Sequence, residues 1–171
     1  MISLVLRNFG RLILVILLQV LILNNIQLGG LINPYFYILF ILLLPFETPK
    51  WLLLLSAFFL GISIDMFLNT VGMHLIACLF IAFIRPSVIS SVSSNKDYEQ
   101  LEAPSVRDLG LTWFLSYTTI LVFTHHFLFF FLEVFSFNGF FHTILKTLLS
   151  AIFTIVFVLI SQFLFARPKS K

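Results

Sequence analysis

The stretch WLLLLSAFFLGISIDMFLNTVGMHLIACLFIAFI, residues 51–84, contains a single acidic side chain, Asp65, and is otherwise almost entirely apolar. Residues 69–72, with asparagine, threonine and glycine, interrupt it near its middle. A helix needs about 20 mostly apolar residues to cross a hydrocarbon core of about 30 Å. The stretch therefore predicts two membrane-spanning helices, near residues 50–68 and 71–88, which are connected by a short turn.

The composition of the whole chain has the same character. Of its 171 residues, 60% are hydrophobic and 10% are charged, with a mean hydropathy of +1.11. Soluble proteins usually carry about 25% charged residues. This composition excludes a soluble enzyme, a nucleic-acid-binding domain and a disordered protein, and predicts an all-α polytopic membrane protein with no nucleic acid partner. A single cysteine, Cys78, excludes an internal disulfide.

Polar breaks between the apolar segments predict one integral membrane domain over residues 1–171, with about six spans. The predicted spans lie near residues 8–27, 31–46, 50–68, 71–88, 109–134 and 139–165. The second is short, so five spans are the alternative if this segment only dips into the bilayer. The longest connection, residues 89–108, is rich in serine and charge, and we expect it to be a cytoplasmic loop. No connection is long enough for a soluble catalytic domain.

Basic residues predict the orientation, because cytoplasmic loops carry an excess of lysine and arginine. In the six-span prediction, nine of the ten basic residues lie on one side, and only Lys146 lies on the other. The nine are Arg7, Arg11, Lys50, Arg85, Lys96, Arg107, Arg167, Lys169 and Lys171. We therefore expect both termini to be cytoplasmic.

Asp65 is the polar residue that most needs an explanation, because a carboxylate at the centre of a bilayer costs about 2.5–3.5 kcal/mol. Ala57 and Gly61 precede it by two turns and one turn on the same helix face, and Gly72 lies in the following turn. Such a series of small residues permits close helix packing. Asp65 is predicted either to accept hydrogen bonds from the hairpin backbone or His74, or to contact a partner or ligand.

A second group of polar residues falls in the half of the spans away from the predicted cytoplasmic side. This outward polar cluster consists of His74, His125, Glu133, His142 and Lys146. Imidazole and carboxylate groups bind zinc, but no His-x-x-x-His or Glu-x-x-His pair occurs, and His125 and His126 point in different directions on a helix. We expect interfacial polar residues, no metal and no cofactor. Since no nucleophile–base pair or cofactor motif is present, we expect no catalytic residues and no enzyme.

Four short motifs carry a resemblance to a known family. They are Asn33-Pro34, Glu47-Thr48-Pro49-Lys50, the series from Gly61 to Asp65, and Gly72. In this arrangement the chain resembles the bacterial rod shape-determining protein family MreD, in detail over residues 33–86 and loosely over its whole length.

The resemblance implies a fold similar to that of the substrate-binding subunits of energy-coupling-factor transporters, in the bacterial cytoplasmic (inner) membrane and in contact with membrane lipid. It also implies a non-enzymatic role in cell shape. The chain would bind an MreC-like protein and help to link MreB filaments to peptidoglycan synthesis by RodA and a penicillin-binding transpeptidase. The alternative is a small-solute (vitamin or metal) binding subunit of a membrane transporter, with a cavity near Asp65, His74 and Glu133.

Overall fold

The computed structural model describes residues 2–26, 30–93, 101–135 and 139–165. Two 3-10 turns occur within these residues, at Leu23–Asn25 and Phe36–Ile38. The α-helices are α1 (Ile2–Leu21), α2 (Leu39–Leu42), α3 (Lys50–Leu68), α4 (Met73–Val92), α5 (Val106–Leu109), α6 (Leu111–Val134) and α7 (Phe140–Leu164).

Five of these helices, α1, α3, α4, α6 and α7, are long and apolar enough to cross a membrane. At 1.5 Å per residue, helices of this length measure about 28–38 Å, which matches the hydrocarbon core. The prediction of an all-α, multi-pass membrane protein is confirmed. The bounds of α3 and the end of α6 are as predicted, both ends of α7 lie within one residue of the prediction, and the other five ends differ by two to six residues.

The predicted helix at residues 31–46 is wrong. This part of the chain consists of the 3-10 turn at Phe36–Ile38 and the four-residue helix α2, with non-helical backbone on both sides. Pro34 and Pro45 bound it, and proline both lacks a backbone N–H and keeps the preceding residue out of the helical region. Nevertheless every residue from 37 to 44 is buried. We call residues 30–49 the central segment.

The predicted loop at residues 89–108 is shorter at both ends than expected. Helix α4 continues to Val92, and α5 (Val106–Leu109) begins after a serine, Ser105, whose side chain accepts a hydrogen bond from the Asp108 backbone N–H. Ser105 therefore caps this short helix. Lys96, Arg167, Lys169 and Lys171 lie outside the described residues.

The helices pack in sequence order, since α3 contacts α4, α4 contacts α6, and α6 contacts α7. At one end of the bundle, Arg7 on α1 forms an ion pair with Glu102, and Trp113 on α6 donates to the Ser93 hydroxyl at 2.9 Å. The Phe46 backbone N–H also donates to the Glu102 carbonyl. We call this the basic end, because it also contains Arg11, Lys50, Arg85 and Arg107.

Candidate functional site

The central segment leaves three successive carbonyl groups at the end of α2 without partners inside a helix. A helix of four residues cannot satisfy its own last carbonyls. Side chains from three neighbouring helices donate to them instead. The pairs are Arg11 Nη1 on α1 with Leu43 O (2.8 Å), Tyr117 Oη on α6 with Leu42 O (3.0 Å), and the Arg85 guanidinium on α4 with Leu44 O.

Arg85 is the largest fully buried side chain among the described residues, with 2% of its surface exposed. Its Nε donates to the Tyr117 hydroxyl at 2.8 Å, and Tyr117 in turn donates to the central segment. The carbonyl end of a helix carries partial negative charge, which favours a nearby cation. The end of α2 therefore explains why a guanidinium is tolerated in the interior of this bundle.

In the first half of the central segment, the backbone N–H groups donate hydrogen bonds to side chains of neighbouring helices. Asn33 N–H donates to Ser150 Oγ and Tyr35 N–H donates to Thr154 Oγ1, each at 3.0 Å. Gln19 accepts from Tyr37 N–H and donates to Pro34 O. Non-helical backbone at membrane depth is stable only where protein groups satisfy it, and α1 and α7 supply those groups here.

Tyr37 joins two residues of the outward polar cluster. Its hydroxyl lies 2.7 Å from His74 Nδ1 and 2.9 Å from His125 Nε2, and all three side chains are buried. We call this arrangement the His–Tyr–His triad. His125 Nδ1 is buried and has no hydrogen-bond partner in the described part of the chain.

The rest of the outward polar cluster does not join the triad. Glu133 and Lys146 form an ion pair at 2.8 Å, and Lys146 lies over the Phe130 ring. His142 is exposed on α7. The expectation of interfacial residues is therefore wrong for His74 and His125, because the central segment supplies polar partners in the interior.

His126 is also buried, with a set of partners of its own. Its Nδ1 lies 2.8 Å from the Val122 carbonyl, and its Nε2 lies 3.1 Å from Thr154 Oγ1. As expected for adjacent helical positions, His125 and His126 reach different groups. Through Thr154, His126 is linked to the Tyr35 backbone N–H, so both histidines contact the central segment's hydrogen-bond network.

Asp65 lies at the turn between α3 and α4 and accepts hydrogen bonds from three donors. Oδ1 accepts from the Thr70 hydroxyl (2.6 Å) and the His74 backbone N–H (3.1 Å), and Oδ2 accepts from the Leu75 backbone N–H (2.9 Å). The first N–H groups of a helix have no intrahelical partner. Asp65, which belongs to α3, therefore caps the start of α4. This agrees with the prediction that Asp65 accepts hydrogen bonds from the hairpin backbone.

Of the two small residues before Asp65, Gly61 lies at the contact between α3 and α4, and Ala57 is buried one turn earlier on α3. Ala57 and Gly61 are both buried, and a Cβ placed on Gly61 would lie 2.5 Å from the Leu75 Cα. The backbones touch at this point, which only glycine permits. Gly72, directly before α4, has a φ of +75°, a conformation that glycine adopts without strain.

Sequence reasoning did not identify Tyr37, Tyr117, Gln19 or Thr154 as site residues. Their polar groups matter because only a short part of the central segment is helical, and the apolar composition of residues 31–46 concealed this. The available signal was the pair of prolines, Pro34 and Pro45, around a segment too short for an ordinary span.

Within the described residues, no three histidine, cysteine, aspartate or glutamate side chains are placed to hold a metal ion. What the arrangement offers chemically is a connected set of hydrogen bonds that fixes the central segment and can exchange protons. Comparisons with known protein families, characterised proteins and solved structures found no match to this chain. The function is therefore argued from the resemblance and from the geometry.

Proposed function

We propose that this chain is a non-enzymatic component of the bacterial cell-elongation machinery in the cytoplasmic membrane. It binds an MreC-like partner and helps to link MreB filaments to peptidoglycan synthesis by RodA and a penicillin-binding transpeptidase. The observation that supports this proposal best is that the bundle uses its interior polar groups to stabilise itself. Polar groups that already bond to one another are not free to hold a solute, which favours a framework for partners over a solute-binding subunit.

Asp65 illustrates this use of polar groups. Its two oxygens accept from three donors of the α3–α4 turn, which occupies the carboxylate with a structural task. The residues of the resemblance motifs have comparable tasks: Gly61 permits the close approach of α4, and Gly72 forms the turn. Helix packing and turn geometry therefore explain these residues without a bound ligand.

The transporter alternative receives less support from the same contacts. It requires Asp65, His74 and Glu133 to converge on a solute. Asp65 and His74 are adjacent through the backbone N–H of His74, whereas Glu133 pairs with Lys146 on the exposed side of the bundle. A solute would also have to compete with hydrogen bonds that these groups already make.

The outer faces of the long helices determine how a partner can bind within the bilayer. They expose large apolar side chains, among them Phe83 on α4 (71%) and Phe141 on α7 (87%). Helices associate in lipid chiefly through van der Waals packing. An MreC-like partner would therefore bind by packing its membrane helix on such a face.

The experiment is purification of the tagged chain from its native membrane, with the co-purifying proteins identified by mass spectrometry. We expect an MreC-like protein to co-purify, and depletion of the chain to turn rod-shaped cells round. Normal shape after depletion, with no MreC-like protein recovered, contradicts the proposal. Stabilisation of the purified chain by a vitamin or a divalent metal, by a few kcal/mol at saturation, supports the transporter alternative instead.

The orientation is tested separately with reporter fusions at residue 97 and at the carboxyl end. We expect both reporters to be cytoplasmic, because cytoplasmic loops carry an excess of lysine and arginine and nine of the ten basic residues lie on that side in the predicted topology. A reporter found outside the cell at either position contradicts the predicted orientation and, with it, the assignment to the elongation machinery.

A further inference from the structure

The His–Tyr–His triad has a property that its structural task does not require. A phenol carries one proton, so Tyr37 can donate to one imidazole and must accept from the other. A neutral imidazole has one N–H and one bare nitrogen. The three side chains therefore form a directed chain of hydrogen bonds, whose direction depends on which histidine donates.

The unpaired nitrogen of His125 determines that direction. If His125 donates through Nε2, its bare Nδ1 is left without a donor. If it accepts at Nε2 instead, a buried N–H at Nδ1 is left without an acceptor, and orphaned buried N–H groups are rarer than acceptors that lack a donor. We therefore assign the direction His125 Nε2–H to Tyr37 Oη, and Tyr37 Oη–H to His74 Nδ1.

We infer that the triad is a proton relay within the membrane bundle. When a proton is added, it binds the bare Nδ1 of His125. The Nε2–H bond of His125 then breaks as its proton forms a new O–H bond on Tyr37, while the original Tyr37 O–H bond breaks and its proton bonds to His74 Nδ1. One proton is gained in total, His74 becomes an imidazolium, Tyr37 is again neutral, and His125 is neutral in its other tautomer.

The surroundings favour charge on His74 over charge on His125. The His74 backbone N–H is bonded to the Asp65 carboxylate, which brings a negative charge next to this residue, and opposite charges attract strongly in a low-dielectric interior. His125 has a second histidine, His126, as its nearest titratable neighbour on α6, with ring centroids 5.5 Å apart. Two adjacent imidazolium rings would repel each other.

Side chains on each helix that packs against the triad affect which histidine carries the positive charge. Helix α1 contributes an uncharged side chain, Gln19, and α7 contributes the uncharged Thr154 and, further away, Lys146 paired with Glu133. The remaining titratable groups near the triad are Asp65 on α3, Cys78 on α4, His126 on α6 and Tyr35 in the central segment. Only Asp65 among them supplies a negative charge directly beside His74.

The test is nuclear magnetic resonance of the full chain in lipid nanodiscs, with nitrogen-15 in the histidine rings, recorded as the pH is lowered. The ring nitrogen shifts separate the two neutral tautomers from the imidazolium. In the wild type we expect His74 to become an imidazolium in the same transition in which His125 changes from the Nε2–H to the Nδ1–H tautomer. Circular dichroism at each pH verifies that the helices persist.

Two matched variants identify the route of the proton. Tyr37→Phe removes the bridging hydroxyl, and we expect the His125 tautomer change to be lost. Tyr35→Phe removes a hydroxyl from a neighbouring ring that contacts the same histidines but does not bridge them, and we expect it to titrate like the wild type. The wild-type spectra alone remain decisive if Tyr37→Phe does not fold.

Three results overturn the relay. In the first, His125 itself becomes the imidazolium in the wild type. In the second, His74 becomes charged while His125 keeps its tautomer. In the third, neither ring changes down to the pH at which the helices are lost.

Discussion

The α3–α4 hairpin and the central segment are both apolar in sequence, yet they satisfy their backbones in opposite ways. In the hairpin, the helices satisfy most of their backbone groups through their own hydrogen bonds. At the turn, Asp65 accepts from the free N–H groups at the start of α4. The central segment depends on side chains from α1, α4, α6 and α7.

This difference teaches how polar side chains are distributed in the bundle. Where the backbone is helical, one carboxylate serves a whole hairpin. Where the helix is interrupted, separate side chains donate to or accept from individual carbonyl and N–H groups, because an unsatisfied group in hydrocarbon costs several kcal/mol. Loss of a single polar group should therefore destabilise the hairpin more than the central segment, and the substitutions below test this.

The largest effect is expected for Asp65→Ala. The substitution leaves one buried and one partly buried backbone N–H group, and the Thr70 hydroxyl, without their acceptor, at a total cost of about 3–5 kcal/mol. Unfolding of the purified chain in mixed micelles measures the loss. A loss no greater than that of a single contact in the central segment would contradict the comparison.

Asp65→Asn refines this prediction. If Asp65 only ties the hairpin, an amide should retain the hydrogen bonds. The structure alters that expectation, because both carboxylate oxygens accept, and the amide NH₂ of asparagine would face a backbone N–H at one of them. We expect a loss of stability of about 1–2 kcal/mol, between the wild type and Asp65→Ala.

Gly61→Ala is expected to have the second largest effect. The added methyl group would lie 2.5 Å from the Leu75 Cα, so α3 and α4 must separate, at a cost of about 2–3 kcal/mol. Gly10→Ala on α1 is the matched control, because a Cβ there meets nothing within 4 Å. Equal unfolding free energies for the two variants would show that the helices do not touch at Gly61.

Thr154→Val tests a single contact of the central segment. The shape of the side chain is retained, but the Tyr35 N–H loses its acceptor and His126 loses a partner, at a cost of about 1–2 kcal/mol. Thr124→Val is the control, since the Thr124 hydroxyl, among the residues that the structure describes, donates to Ile120 O in its own helix. A difference between these two unfolding free energies measures the contribution of the contact.

Lys146→Met is expected to have the smallest effect. The ion pair with Glu133 is partly exposed, and such pairs contribute about 0–1 kcal/mol. It lies away from both the hairpin turn and the central segment's backbone contacts. A loss comparable to that of Thr154→Val would show that this pair belongs to the interior polar network.

Much of the candidate site was visible in the sequence one residue at a time. Asp65, Gly61 and Gly72 stand out because charge and glycine are conspicuous in an apolar run, and the structure places all three at the α3–α4 contact. His74 and His125 were equally conspicuous. The hydrogen bonds that join both histidines to the Tyr37 hydroxyl were not predictable, because they depend on where the central segment passes between α4 and α6.

By itself, the sequence determined that the chain is a multi-pass helical membrane protein, because apolar runs of about 20 residues have no other stable arrangement in lipid. It also located the hairpin turn and its acid. Only the tertiary structure decided that residues 37–44 are buried in the protein core, and which polar groups meet there. Hydropathy measures how apolar a segment is. It does not distinguish a segment that faces lipid from one that is buried in protein, because both surroundings are apolar.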